Sequence, residues 1–146
     1  MTIRISLLAG LLALSGATSA MAEVRFFNSG SNGFPISEAA QAGNTLYLSG
    51  QLGIVPGSGE LAAGGVEGQS RQAMDNIQRI LQAYGYGWQD VTKCTVFLAD
   101  ISEFGRFNSV YVKYFEADRY PARSVLGGTD LVRNARVEVE CIAAKA

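Results

Sequence analysis

Apolar and polar positions change their period several times along this chain, and each change marks an element. Val24–Phe27 is a short apolar segment that reads as a first strand, and residues 28–33 form a Gly/Ser/Asn-rich loop. A Gly43-Asn44 turn signal introduces residues 45–51 (Thr-Leu-Tyr-Leu-Ser-Gly-Gln), a strongly β-prone run that predicts a hairpin with the segment before it. Residues 56–65 are glycine-rich and carry no lysine or GxGxxG spacing, so they read as a surface loop rather than a phosphate cradle.

From residue 66 to residue 84 the period becomes helical: Ala73, Ile77, Ile80, Leu81 and Tyr84 recur on one side, and Gly85 is placed to end the helix. Residues 91–99 return to a mostly apolar, β-branched run that fits a strand inside a sheet. Asp100 and Glu103 suit the N-terminal cap of a second helix, whose stripe is Phe104, Phe107, Tyr111 and Tyr114 and whose end falls at residues 118–121. After a Gly127-Gly128 break, residues 136–142 alternate as a closing strand. The layout predicted is α+β: a mixed sheet of about five or six strands with two helices packed on one face. Two helices cover only one side of such a sheet, so the bare face is expected to be covered by self-association.

Composition narrows the chemistry. The chain has 146 residues, 48% of them hydrophobic and 17% charged, with a formal net charge of −1. That suits one globular domain and gives no basic footprint for nucleic acid. Histidine is absent. With it go the commonest metal ligand and the commonest general base at neutral pH, so neither a metal nor His-assisted nucleophilic chemistry is expected. Cys94 and Cys141 both sit in strand-like apolar runs, where a reduced cysteine acts as a small core hydrophobe. Two buried thiols are therefore expected rather than a bridge, although an exported protein can keep a disulfide.

The first 22 residues have their own pattern. A short positive start is followed by an apolar run at residues 5–14 and by Ala20-Met21-Ala22, a small-residue cleavage pattern. The run is too short to span roughly 30 Å of hydrocarbon. Residues 1–22 thus read as a secretory signal peptide and residues 23–146 as the single mature domain. A periplasmic or secreted protein without stable membrane association after cleavage is expected.

The stretch with the clearest chemical potential is Tyr120-Pro121-Ala122-Arg123-Ser124, followed by Glu138 and Glu140 alternating on the closing strand. A guanidinium on an extended segment can grip a small carboxylate in bidentate fashion, and a nearby carboxylate can take a proton from water. Each has a plain structural rival. Arg123 could be a solvated surface residue, Glu138 and Glu140 an exposed strand face, and Ser49 and Asn108 ordinary turn and helix hydrogen-bonders.

Several segments in order resemble the reactive intermediate deaminase family (RidA, also called YjgF): Leu48-Ser49-Gly50-Gln51, Asp75-Asn76-Ile77, Thr95-Val96-Phe97-Leu98, Asn108-Ser109-Val110-Tyr111, Pro121-Ala122-Arg123-Ser124 and Val137-Glu138-Val139-Glu140-Cys141-Ile142-Ala143. The resemblance runs from about residue 35 to residue 143. It implies a chorismate-mutase-like fold, a homotrimer with clefts between subunits, and hydrolysis of short enamine or imine acids of the 2-iminopropanoate and 2-iminobutanoate type. The products would be 2-keto acids and ammonia, formed by a hydrolase acting on C–N bonds without a cofactor. Carried over by position, Arg123 would clamp the substrate carboxylate and Glu138 would orient the attacking water. Ser49, Asn108, Ile36 and the backbone at Val125 would line the pocket. Ile36 is a departure, since many members carry an aromatic residue there, often Tyr, and it removes a phenol from the pocket.

Three function classes follow: an imine deaminase, a non-catalytic small-carboxylate binder using the same Arg123 clamp, and a ribonuclease. An acidic chain without histidine and with an export signal makes the last the weakest. The cleavage pattern gives a direct expectation: the protein isolated from its host begins at Glu23, and intact-mass analysis that finds Met1 retained in the soluble protein overturns it.

Overall fold

The computed structural model describes residues 23–30 and 33–146, so the expected signal segment lies outside the described residues. The described residues form seven strands and two α-helices, in the order β1 (Val24–Phe27), β2 (Ala39–Ala42), β3 (Thr45–Leu48), β4 (Gln51–Leu52), α1 (Gly65–Ala83), β5 (Val91–Leu98), α2 (Phe104–Tyr111), β6 (Ala122–Gly127) and β7 (Val137–Ala144). The strands form one mixed sheet in the order β1-β2-β3-β7-β5-β6, with β4 also paired to β7. Only β5 and β6 run parallel, joined across α2. The α+β reading is borne out.

The sheet holds more strands than expected. β2 is the first arm of the expected hairpin, turned at Gly43, which takes a left-handed φ of 57°. The β-prone run at residues 45–51 is not one strand: β3 pairs with the far end of β7, the chain breaks at Ser49-Gly50, and β4 rejoins β7 at Val139 and Glu138. At the break, Gly50 packs against the Glu138 carboxylate, and a larger residue there would require that side chain to move.

Alternation on the strands sets the two faces. Val137, Val139, Cys141 and Ala143 of β7, with Cys94, Val96 and Leu98 of β5, are buried beneath the helices. They meet the expected α1 stripe, Ala73, Ile77, Ile80 and Leu81, joined by Val66 and Met74. The α1 C-terminus closes as predicted: Gly85 has φ 79°, its N–H donates to the Gln82 carbonyl, and the Tyr86 N–H donates to the Leu81 carbonyl. The expected cap of α2 is only half present. Asp100 accepts from the Ser102 N–H at 2.9 Å, but Glu103 faces inward to Arg136 Nη2 at 2.7 Å and so ties the start of β7 to α2. The opposite face of the sheet stays open and carries Tyr47, Lys93, Glu140 and Ile142 around a shallow cavity of about 180 Å³.

Cys94 and Cys141 are disulfide-bonded, which corrects the expectation of two thiols. They lie directly opposite each other on β5 and β7, side chains on the same buried face, a proximity that depends on strand register and is invisible in either run by itself. The bond closes a loop of sequence separation 47, and a loop of that length restricts the unfolded chain by roughly 4 kcal/mol in the chain-entropy model. Reduction, or a Cys94→Ala/Cys141→Ala variant, is expected to lower unfolding stability by about 2–4 kcal/mol. Denaturant titration at fixed protein concentration measures it, and identical midpoints with and without reductant reject it.

Candidate functional site

Arg123 projects from β6, the strand at one edge of the sheet, towards α2. Its guanidinium lies over the Tyr111 ring at 4.5 Å from the centroid, with Phe104 and Phe107 at 5.6 and 6.0 Å. Asn108 Oδ1 accepts from Arg123 Nη1 at 2.9 Å. Asn108 and Tyr111 are three apart on α2 and so present one face, which is why a single helix both stacks and orients the cation. Pro121 leads into β6 and fixes the approach of the segment that bears Arg123. A cleft of about 430 Å³ opens here, lined by Asn108, Tyr111, Val112, Tyr120, Pro121 and Arg123. Among the described residues no carboxylate pairs with Arg123. A half-buried, oriented and unpaired guanidinium is a receptor for an anion.

Glu138 is elsewhere. It stands on the open face of β7, directly across from Phe97 of β5, with its carboxylate packed against Gly50. Burial, together with the charge of Glu140 two residues on, pushes its carboxyl above the usual glutamate range. The sequence pattern suggests a carboxylate near the arginine. The structure puts β5 between them and, by the alternation of β6 and β7, on opposite faces. Within one chain Arg123 and Glu138 cannot act on the same small molecule.

Ser49 and Ile36 lie apart from Arg123, in a cleft that meets Glu138's surroundings only at Gly50. They line a cleft of about 370 Å³ with Phe34, Gly50, Gln51 and Arg79. Ile36 and Phe34 are 60% and 63% exposed, an apolar lip on that cleft. Ser49 Oγ donates to the Ser37 carbonyl at 2.6 Å, so the hydroxyl is oriented and its lone pairs remain to accept. At the cleft's outer wall Glu38 takes hydrogen bonds from Arg79 (2.7 Å), Asn28 (2.7 Å) and Tyr84 (2.9 Å). Burial works against its charge, but these donors, led by Arg79, hold its carboxyl below the usual range. Val125 packs against the core on β6, opposite Val96, and lines neither cleft with its side chain. Being on an edge strand, β6 still turns part of its backbone outward.

The expected residues therefore fall into two sets: Arg123 with Asn108, and Ile36, Ser49 and Glu138 around Gly50. Sequence reasoning gave Tyr111 and Gly50 no role of their own in the site. Tyr111 was taken as core stripe, yet its three-residue spacing from Asn108 was readable. Gly50 carried no local signal, because its requirement comes from a side chain 88 positions later, met only through the β4–β7 pairing.

Comparison with known proteins agrees with this architecture. Residues 32–145 match the family model described as Endoribonuclease L-PSP. The chain belongs to that family. A mouse protein named 2-iminobutanoate/2-iminopropanoate deaminase is 44% identical over 109 residues, covering 75% of this chain and 80% of the relative. Among solved structures, RidA from an Antarctic Psychrobacter superposes with TM-score 0.72 at 38% identity, covering 77% of this chain and 89% of the other. A YjgF-family protein from Neisseria meningitidis, at 25% identity, gives TM-score 0.72 over 87% and 98% of the two chains. The RidA/YjgF resemblance and the mixed sheet with two helices are thereby borne out.

The electrostatics of Glu138 can be tested without a substrate. Glu140→Gln removes the neighbouring negative charge, so the Glu138 carboxyl is expected to titrate at lower pH than in the unaltered protein while remaining above the ordinary glutamate value because of burial. A 13C-detected NMR titration of that carboxyl decides it. A midpoint that does not fall excludes Glu140 as a contributor.

Proposed function

We propose that this protein is a cofactor-independent deaminase that hydrolyses short 2-imino acids, or their enamine tautomers, to 2-keto acids and ammonia. The observation that carries the reading is Arg123: an oriented guanidinium, stacked on Tyr111, fixed by Asn108 and unpaired by any carboxylate of the described residues, opening on a small cleft. The names borne by the relatives supply the electrophile such a carboxylate receptor serves.

The reaction divides between the two sets of residues. Arg123 takes the substrate carboxylate through two parallel N–H···O bonds, which fixes the imine carbon next to it. With the imine nitrogen protonated, Glu138 accepts a proton from water as the oxygen adds to that carbon, giving a neutral tetrahedral aminoalcohol. Glu138 returns that proton to nitrogen, the C–N bond breaks to release ammonia, and the protonated keto acid left behind gives its hydroxyl proton to the Glu138 carboxylate, which passes it to solvent. A carboxyl raised above the usual glutamate range by burial suits both halves of this exchange. Ser49 and Ile36 line the cleft beside Glu138, and outward backbone at Val125 lies beside Arg123.

Because the two sets are on opposite faces in one chain, the reading requires Arg123 of one copy to meet Glu138 of another. A closed homotrimer satisfies this with three equivalent sites and covers the open sheet face bearing Tyr47, Lys93 and Ile142. Export, with residues 23–146 as the mature domain in the periplasm or medium, is part of the same proposal. The Cys94–Cys141 disulfide supports it, since such bonds persist in oxidising compartments.

The test uses two variants and their mixture. Arg123→Ala is expected to lose both 2-oxobutanoate binding and ammonia release from freshly generated 2-iminobutanoate. Glu138→Gln keeps binding within a few-fold while hydrolysis falls about 10²-fold, the scale for losing a positioned acid or base. Oligomers co-assembled from equal amounts of the two variants should regain about a quarter of wild-type turnover, because random mixing rebuilds that share of sites with both groups present. No recovery excludes a shared site. Wild-type protein that binds 2-oxobutanoate but releases no ammonia is a carboxylate-binding module, not a deaminase.

A further inference from the structure

Tyr111 carries an atom that the fold does not account for. The residue is 2% exposed. Its ring has full employment: it packs against Phe107 and Phe115 at centroid distances of 5.5 and 4.8 Å and lies beneath the Arg123 guanidinium. A phenylalanine ring would do all of this. The hydroxyl is different, for among the described residues it is the one buried side-chain polar atom without a hydrogen-bond partner. A buried, unpaired hydroxyl destabilises a fold, and native structures rarely keep one without a reason.

The surroundings of Tyr111 supply that reason. It lines the Arg123 cleft together with Asn108, whose Oδ1 is already taken by Arg123 Nη1. Burial pushes the phenol up to about 12, so at neutral pH it is a protonated group with a hydrogen to give. A carboxylate held by the two arms of a guanidinium still has lone pairs to fill, because its two oxygens offer about four acceptor sites.

We propose that Tyr111 is a ligand-binding residue whose hydroxyl donates a hydrogen bond to the carboxylate gripped by Arg123. The anion is then held by donors from two elements, the guanidinium of β6 and the phenol of α2, and the phenol pairs only when the ligand is bound. This rests on the carboxylate-binding role of Arg123 proposed above.

Tyr111→Phe isolates the atom while leaving the ring and its stacking in place. In the mature oligomer the dissociation constant for 2-oxobutanoate, measured by calorimetry, is expected to rise about tenfold, the scale of one hydrogen bond to a charged group. KM for 2-iminobutanoate should rise in parallel with kcat within about twofold, since the carboxylate is held alike in the ground and transition states. The melting temperature should be unchanged or higher, because the orphan hydroxyl has gone. A packing role predicts the reverse, a lower melting temperature with unchanged affinity, and that result overturns the inference. So does loss of affinity together with dissociation of the oligomer by light scattering, which assigns the hydroxyl to a contact between copies. If the wild type neither binds 2-oxobutanoate nor hydrolyses the imine, the underlying reading fails and this one with it. Wild-type activity matched by Tyr111→Phe in both Kd and KM removes Tyr111 alone.

Discussion

The antiparallel ladder between β5 and β7 is the constraint from which the rest of the structure follows. It runs from Val91 opposite Ala143 to Leu98 opposite Val137, and β5 also carries the parallel strand β6 on its other edge. One register therefore settles three things together. It aligns Val96, Leu98, Val137 and Val139 under the helices, places Cys94 against Cys141, and assigns Arg123 and Glu138 to opposite sides of the sheet. A slip of one residue would turn all of these over at once, exposing the apolar row and burying Glu138 and Glu140 beneath α1. The buried face is thus what holds the chemistry in place, and the disulfide ties the same two strands covalently.

That register also explains why Arg123 and Glu138 are held apart within one chain. Arg123 and Glu138 are separated by two interstrand spacings, by the length of strand from Cys94 to Phe97, and by the sheet itself. Each group is prepared for work in its own place: the guanidinium is stacked and oriented, and the carboxyl is raised by burial and by Glu140. The register also keeps apart, within one chain, two opposite charges that would otherwise pair and neutralise each other.

The legible parts of the fold were those set by local period. The α1 stripe from Ala73 to Leu81, its closure at Gly85, the strand at β5 and the alternation of β7 follow from side chains one to four residues apart, and the structure has each of them. The parts that were not legible depend on partners distant in sequence. Residues 45–51 read as one strand because nothing local shows that Glu138 claims the space at Gly50. Glu103 read as a cap because its partner, Arg136, lies 33 residues away. Cys94 and Cys141 read as core hydrophobes for the same reason, each being apolar in its own run and paired only by the ladder. For the site, the residue types are readable but not their separation, since a closing strand recognised by its alternation gives neither the strand order nor the face it shares with Arg123.

The arrangement around Arg123 bears on why the cation is left unpaired. A half-buried guanidinium loses hydration, and a carboxylate partner within the chain would restore the balance at the cost of competing with any anionic ligand. Three aromatic rings and one carboxamide oxygen take that partner's place here. Ring faces stabilise the cation through their quadrupoles and keep it planar, yet they leave the outer edge of the fork unoccupied. Arg136 and Arg79 instead give their guanidinium groups to Glu103 and Glu38. Stacked in this way, Arg123 stays stable enough to be held in the folded chain and open enough to take a carboxylate, a combination that an ion pair at the same position would remove.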